Sequence, residues 1–521
     1  MLSNPFPADN GSLETPLDAV MIGAGFSGIL AGIRLRQSGF DRFVILEKSA
    51  GVGGTWRDNS YPGAGCDIPS HLYSFSFALN PKWSQQYATQ PEILSYIEDC
   101  TTRYGLRPHL RLQTEVKQAD YLPESCLWRV QTASGIEYYA RNLLVGVGQL
   151  NRPSIPNLPH RDQFQGQAFH SARWPANCDL TGKRVAVLGT GASAVQFIPA
   201  IAPQVGSMTI LQRTPHWIAR RWERKYTERE KARFARWPWW MRLARWGHYM
   251  RYEFRVHIAR YEPIAEWIID RLTRGYLEDE IADGELRKKL TPDYQPGCCR
   301  VLGSDDYYQS LTRPNVELLA EGAVGFYKDG VITGSGRQIP ADVVIYATGF
   351  KMQDLAGPFP INGLRGSLQE AWNESPQSHF GITAHGFPNM FHFYGPNTNL
   401  THNSILFMLE CQMEYVVQLL RAKRDRGAAA VEVTSEAVRR FQAWLAEDLK
   451  KTIWTRPCGR PFQSSTGQII RNWSRYTIGY WRMTRRLKMS DFAFTNLEKK
   501  TNSAASALEH GPASRQAVPV S

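Results

Sequence analysis

Two glycine clusters, and the charged residue that follows each, hold most of the chemistry legible in this chain. Gly23, Gly25 and Gly28 are spaced G-x-G-x-x-G, and Glu47 stands 24 positions after Gly23. Gly189, Gly191 and Ala194 are spaced G-x-G-x-x-A, and Arg213 stands 24 positions after Gly189. Glycines at this spacing permit a tight turn and let the backbone approach a pyrophosphate at a helix N-terminus. A carboxylate at the end of the following strand accepts hydrogen bonds from ribose hydroxyls and repels a 2′-phosphate, whereas an arginine binds that phosphate bidentately. The first unit therefore suits FAD, through Gly23, Gly25, Phe26, Ser27, Gly28 and Glu47. The second suits NADPH, through Gly189, Thr190, Gly191, Ser193, Ala194, Gln196, Arg213 and Thr214. Two such sites in one chain point to electron transfer from NADPH to a flavin.

Regular elements must hold these residues in place. Asp18 to Ile22 reads as a short apolar strand, followed by a helix with Ile29, Leu30 and Ile33 on one face. FVILE is the next strand and ends at Glu47. KRVAVLGTGASAVQFIPAI repeats the pattern, and SMTILQRT carries Arg213 and Thr214 at its end. The expected class is α/β: two Rossmann-type dinucleotide-binding domains with a helical insertion.

The chain has 521 residues, enough for two to four domains, and 43% hydrophobic content suits globular cores. The formal charge is +13, and it is unevenly spread. Trp217 to Arg260 holds thirteen Arg and Lys against four Glu, an excess of nine, with six of the sixteen tryptophans. Aromatic residues at near-helical spacing there predict a helical subdomain with core tryptophans and a solvated basic face. The same pattern also suits peripheral contact with anionic lipid. No nucleic-acid recognition module is visible.

The eight cysteines form no C-x-x-C pair, and their scatter fits neither a disulfide framework nor a zinc site. Cys298 and Cys299 are vicinal, a geometry that strains a disulfide. A disulfide reductase, which needs a redox-active pair beside its flavin, is therefore disfavoured. No basic region followed by an apolar run opens the chain, and Val20 to Ile33 is too short to span a bilayer, so a cytoplasmic location is expected. The polar tail after Leu497 reads as disordered.

Between the two units lies FQGQAFHSARWP, spaced F-x-G-x-x-x-H-x-x-x-W-P at Phe164, Gly166, His170, Trp174 and Pro175. This resembles the signature of the Baeyer–Villiger monooxygenases, class B flavin-dependent enzymes. GGTWRDNSYPGAGCD, with Gly53, Gly54, Trp56, Tyr61, Pro62, Gly63 and Asp67, matches a second family pattern. ATGF at Ala347–Phe350, PGCCRVLGSDDYY from Pro296 and GPNTNLTHNSILFMLE from Gly395 follow in the family's order. The resemblance runs from about residue 17 to about residue 490.

It implies an NADPH- and O2-dependent enzyme that inserts oxygen next to a ketone or aldehyde carbonyl, through a C4a-peroxyflavin, to give an ester or lactone. Arg300 maps to the active-site arginine, and Asp67 to the carboxylate that positions it. Thr55, Trp56, Asp58, Asp67, Tyr73, Val116 and Asn397 join the FAD contacts, and Arg300 joins the NADPH contacts. His170 and Trp174 are expected to shape a hinge rather than take part in the chemistry.

Three departures stand out. Cys299 replaces the lysine often found before the arginine, which predicts a weaker NADPH preference. GVG at Gly146–Gly148 replaces ATG, and CGRPFQSSTGQ from Cys458 is irregular. The implied organisation is an FAD-binding domain over 1–150 and 381–497, an NADPH-binding domain over 151–215 and 298–380, a helical insertion over 216–297 and a tail over 498–521. A flavin enzyme that oxygenates nitrogen or sulfur, and an NADPH-binding flavoprotein that does not oxygenate, remain as alternatives.

Overall fold

The computed structural model describes residues 9–260 and 262–497, so the tail expected after Leu497 lies outside the described residues. Ala19–Ile22, buried along its whole length, is the central strand of a five-stranded sheet. Phe43–Leu46 and Leu143–Val145 flank it, and Leu110–Arg111 and Met390–His392 form the edges. Every pairing is parallel. Strands covered on both faces read as continuous apolar runs, as these do. The helix Phe26–Gln37 was expected to be apolar on one face. Instead it is buried almost all round, because it packs between this sheet and the long helix Ile405–Asp425.

The second sheet repeats the plan. Arg184–Leu188 is central, Ser207–Leu211 and Val343–Tyr346 flank it, and Val316–Leu319 and Gln167–His170 are the edges, again all parallel. In each sheet the chain leaves the central strand to one side and later returns on the other. That leaves a crevice at the carboxyl end of the central strand, where ligands bind in such folds. Gly23 and Gly189 stand at these two places.

The basic segment does form helices: Glu228–Arg236, Pro238–Glu253 and Val256–Arg260, followed by Glu262–Glu280 and Gly284–Leu290. Three charged side chains, Arg245, Glu253 and Arg260, clamp them to the rest of the chain. Arg245 donates to the carbonyls of His71, Leu72 and Ser74 at 2.8–3.0 Å. Glu253 accepts from Asn403, Thr477 and the Ile478 amide. Arg260 and Arg475 hold the buried Asp448 carboxylate, each at 2.8 Å.

The tryptophans depart from the expectation of a core. Trp217 is buried and Trp240 half-buried, but Trp222, Trp237, Trp239 and Trp246 are exposed. Trp239, Leu243, Trp246 and Phe254 recur at helical spacing on an uncovered face. The helix docks through its charged clamps and leaves its aromatic stripe outside.

One disulfide joins Cys298 to Cys458, with Cα atoms 5.7 Å apart across 160 positions. The scattered cysteine pattern offered no sign of it, because the fold alone brings the two loops together. The other six cysteines are free. Among the described residues, no helix is long and apolar enough to cross a membrane, and no cluster of His, Cys, Asp and Glu could hold a metal.

Candidate active site

The two glycine turns are near copies. Gly23 has φ +96°, and a Cβ on it would come within 2.6 Å of the Gly146 carbonyl oxygen. Gly189 has φ +102°, and its Cβ would come within 2.7 Å of the Ala347 carbonyl oxygen. Gly25 and Gly191, by contrast, have no such neighbour closer than 3.7 Å, so the concave side of each turn is open. The first helical hydrogen bonds are Ile29 to Gly25 and Val195 to Gly191, both 3.1 Å. Among the described residues, the amides of Phe26, Ser27, Gly28, Ala192, Ser193 and Ala194 have no protein acceptor. Such orphan donors at a helix N-terminus fit a pyrophosphate.

The Gly146 departure from the usual alanine has a local cause. A Cβ there would lie 2.3 Å from the Met21 side chain and 2.9 Å from that of Ser27.

Glu47 is buried and braces its own turn, accepting from the amides of Ala24 and Ser49 at 2.8 Å each. Arg213 is exposed and has no carboxylate within ion-pair distance among the described residues. Thr214 beside it accepts a 3.4 Å bond from the Thr190 hydroxyl through its carbonyl. The side chain of Gln196 is not free: it accepts from the Tyr61 hydroxyl at 2.8 Å and donates to the Gly65 carbonyl at 2.9 Å. Gln196 thus ties the 61–65 segment to the second unit.

That tie bears on Asp67, whose carboxylate takes a hydrogen bond from the Arg300 guanidinium. The Asp67 charge holds Arg300 above the ordinary arginine value. Beside this pair, Tyr73 accepts from the Trp56 indole at 3.2 Å and meets the Phe26 ring edge-on at 5.4 Å. Burial pushes the Tyr73 hydroxyl well above its usual range. Thr55 opens the short helix Thr55–Asp58, and Asp58 faces Arg173 at 3.6 Å. Val116 is buried at the start of the strand Val116–Leu122. Asn397, in the left-handed region at φ +57°, spends its side-chain amide on the Ile469 carbonyl.

The linker residues are structural. The Nδ1 atom of His170 accepts from the Ala172 amide at 3.1 Å, so Nε2 carries the proton and donates to the Gly349 carbonyl at 2.9 Å. Burial lowers the His170 pKa and keeps the ring neutral. Trp174 packs between Phe169 and Phe197. The pattern F-x-G-x-x-x-H-x-x-x-W-P therefore fastens the linker to the ATGF turn and to the helix Ala192–Ile201.

Asp67 and Arg300 line a cavity of about 170 Å³ with Tyr87, Tyr252, His402 and an apolar wall that includes Ile258 and Leu272. Sequence reasoning missed Tyr87, Tyr252 and His402, since no local spacing links them to Asp67.

Three comparisons bear on this arrangement. The pyridine nucleotide-disulphide oxidoreductase family matches residues 20–231. Within that range Cys66, Cys100, Cys126 and Cys178 are all free thiols. A Baeyer-Villiger monooxygenase of Pseudomonas aeruginosa is 39% identical over 498 residues, covering 95% of this chain and 94% of that one. The chain belongs to the Baeyer–Villiger monooxygenases. A Baeyer-Villiger monooxygenase of Streptomyces coelicolor is 37% identical over 93% of this chain and 94% of that one. Among solved structures, cyclohexanone monooxygenase from Rhodococcus sp. Phi1 bound to NADP+ superposes with a TM-score of 0.81 at 30% identity, over 92% of this chain and all of that one. Steroid monooxygenase bound to NADP gives 0.83 at 29%, with the same coverage. The expected α/β class and the expected reaction class both stand: this Baeyer–Villiger monooxygenase is an oxidoreductase that uses FAD and NADPH.

Proposed function

We propose that Arg300 and Asp67 form the catalytic centre of this Baeyer–Villiger monooxygenase and that its substrate is a hydrophobic ketone or aldehyde. FAD, reduced by NADPH, supplies activated dioxygen when bound. One oxygen atom enters the bond beside the carbonyl carbon, the other leaves as water, and NADPH provides the two electrons. Arg300 cannot lose its proton in a protein, so it keeps a positive charge where negative charge develops on oxygen. Asp67 fixes the plane of the guanidinium and is a positioning residue. The Arg300 and Asp67 side chains are 48% and 30% exposed here, so both effects would strengthen once cofactor and ketone fill the cavity and displace water. The Arg300–Asp67 contact inside this cavity is the observation that carries the reading.

The cofactor roles belong to the same proposal. The Gly23–Gly28 turn and Glu47 hold the FAD pyrophosphate and ribose. The Gly189–Ala194 turn takes the NADPH pyrophosphate, with Arg213 and Thr214 on its 2′-phosphate. Six free thiols favour a cytoplasmic setting, and the Cys298–Cys458 bridge is the one cysteine feature that argues against it. The exposed stripe of Trp239, Leu243 and Trp246, with arginines around it, supports peripheral contact with an anionic bilayer.

The test is a panel of linear, cyclic, aromatic and steroidal ketones supplied to the FAD-loaded enzyme with NADPH. NADPH use, H2O2 release and product mass are followed together. A product heavier by one oxygen, lost in Arg300→Ala, is expected for at least one ketone. Uncoupling on every ketone, with sulfoxides or N-oxides from heteroatom substrates, would replace this reading with heteroatom oxygenation.

A further inference from the structure

The cavity beside Arg300 is unusually rich in positive charge. Arg220, Arg221, Arg251, Arg255 and Arg300 all line it, and Asp67 is the single carboxylate in its wall. Three of these arginines are already paired. Arg220 holds Glu280 at 2.7 Å, Arg221 holds Glu223 at 3.0 Å, and Arg300 is bound to Asp67. Arg251 and Arg255 are different: among the described residues, neither guanidinium has a carboxylate or a hydrogen-bond acceptor. Two uncompensated arginines four positions apart, facing one cavity, create a strong local positive potential. Arg255 is half-buried and Arg251 exposed, so an anion entering the cavity can reach both guanidinium groups.

We infer that Arg251 and Arg255 form an anion subsite that selects ketones carrying a carboxylate at the far end of an apolar chain. The inference rests on the reading of Arg300 as the catalytic arginine and deepens it.

The subsite is built rather than accidental. The Arg255 guanidinium lies 3.8 Å from the centre of the Tyr252 ring, which holds its planar fork in one orientation. Tyr252 is buried, and its hydroxyl pairs with that of Tyr87 at 3.1 Å and reaches the Asp67 carbonyl at 3.4 Å. One rigid side chain therefore links the anion subsite to the segment that positions the catalytic arginine. The Arg255 charge also reaches His402, which burial first and that charge second lower to about 3, so His402 stays neutral and adds no competing cation. Ile258, Ala259, Ile269 and Leu272 supply an apolar wall for the methylenes between ketone and carboxylate. Arginine matches a carboxylate bidentately, which a bare ammonium cannot.

NADPH is the other anion in this enzyme, and of its expected contacts only Arg300 lines this cavity. Neither the Gly189–Ala194 turn nor Arg213 lines this cavity.

The test compares 9-oxodecanoic acid with its methyl ester on the FAD-loaded full chain. Binding is followed by the change in flavin fluorescence, and turnover by NADPH use and product mass. The proposal expects the native enzyme to bind the acid about ten-fold or more tightly than the ester. The preference should fall to near unity in Arg255→Leu and narrow in Arg251→Leu. Arg255→Lys should recover part of it. Equal binding of acid and ester by the native enzyme overturns the proposal. So does a rise in the NADPH KM of Arg255→Leu with the acid-to-ester ratio kept, because the arginine would then serve the cofactor. Preferential binding of the acid with no oxygenated product from any ketone would keep the anion subsite and remove the monooxygenase assignment of Arg300.

Discussion

The guanidinium of Arg300 lies on the carboxylate of Asp67, 233 positions earlier in the chain. One residue comes from the turn that leaves the first glycine unit, the other from the loop that follows the helical insertion. Removing the arginine removes the fixed charge and leaves Asp67 without its partner. Arg300→Ala should lower oxygenated product by about 100-fold or more, in line with the loss of a preorganised donor. H2O2 release should then account for nearly all NADPH used, with FAD retained. Asp67→Asn should act in the same direction but less strongly, because the amide can still orient the guanidinium. Coupled turnover in Arg300→Ala would sink the assignment.

Arg213 stands free at the end of its strand, and Cys299 is turned toward the Cys458 carbonyl at 3.3 Å. A charge-assisted hydrogen bond contributes about 1.5–3 kcal/mol. Arg213→Gln should therefore cut the NADPH-over-NADH preference in kcat/KM by about ten-fold or more. Cys299→Lys should raise it, by restoring the cation that the family often places there. An unchanged ratio in Cys299→Lys means that the missing lysine does not set the preference.

The Cys298–Cys458 bridge sits two residues from Arg300 and ties that loop to the irregular CGRPF segment. A native disulfide commonly contributes about 2–4 kcal/mol. Cys458→Ser, or a reducing agent on the native chain, should lower the melting temperature by several degrees. The ketone KM should rise at the same time, since the loop carrying Arg300 gains freedom. Identical melting and KM with and without reductant would show that the bridge does not form in solution.

Acid should release the helical insertion at Asp448. Burial alone would raise this carboxyl, but hydrogen bonds from Arg475, Arg260 and Ser474 outweigh burial and hold it at about 2, below its ordinary 3.8. A depressed folded pKa contributes stability that is complete above the unfolded value and lost as pH falls through the folded one. The window is thus from about pH 4 down to about pH 2. Asp448→Asn should destabilise by about 3 kcal/mol at neutral pH, where it strands two arginines. The variant should also show a flatter stability profile across that window, read by denaturant midpoints at each pH.

The uncovered aromatic stripe predicts co-flotation with anionic liposomes at physiological salt. Trp239→Ser with Trp246→Ser should abolish it, and neutral liposomes should give little. No co-flotation of the native chain removes the lipid contact. A dimer that disappears in the double variant would assign the stripe to a second copy of the chain instead.

The sequence by itself determined what depends on short spacing. The turns at Gly23 and Gly189 were legible because a backbone with positive φ beside a neighbouring carbonyl admits only glycine, and that requirement is local. Glu47 and Arg213 followed because a strand of set length carries them to the same crevice. The linker histidine could be noticed by its spacing, but its task could not: the Gly349 carbonyl it holds lies 179 positions away. Only the tertiary structure decided the rest. It put four tryptophans of the basic segment outside, because half-buried Arg245 and Arg260 and buried Glu253 take over the docking. It paired Cys298 with Cys458 and gathered Arg251, Arg255, Tyr252 and His402 around Arg300. Such contacts join segments that no periodicity relates, and they exist only once the two sheets and the insertion have closed on one another.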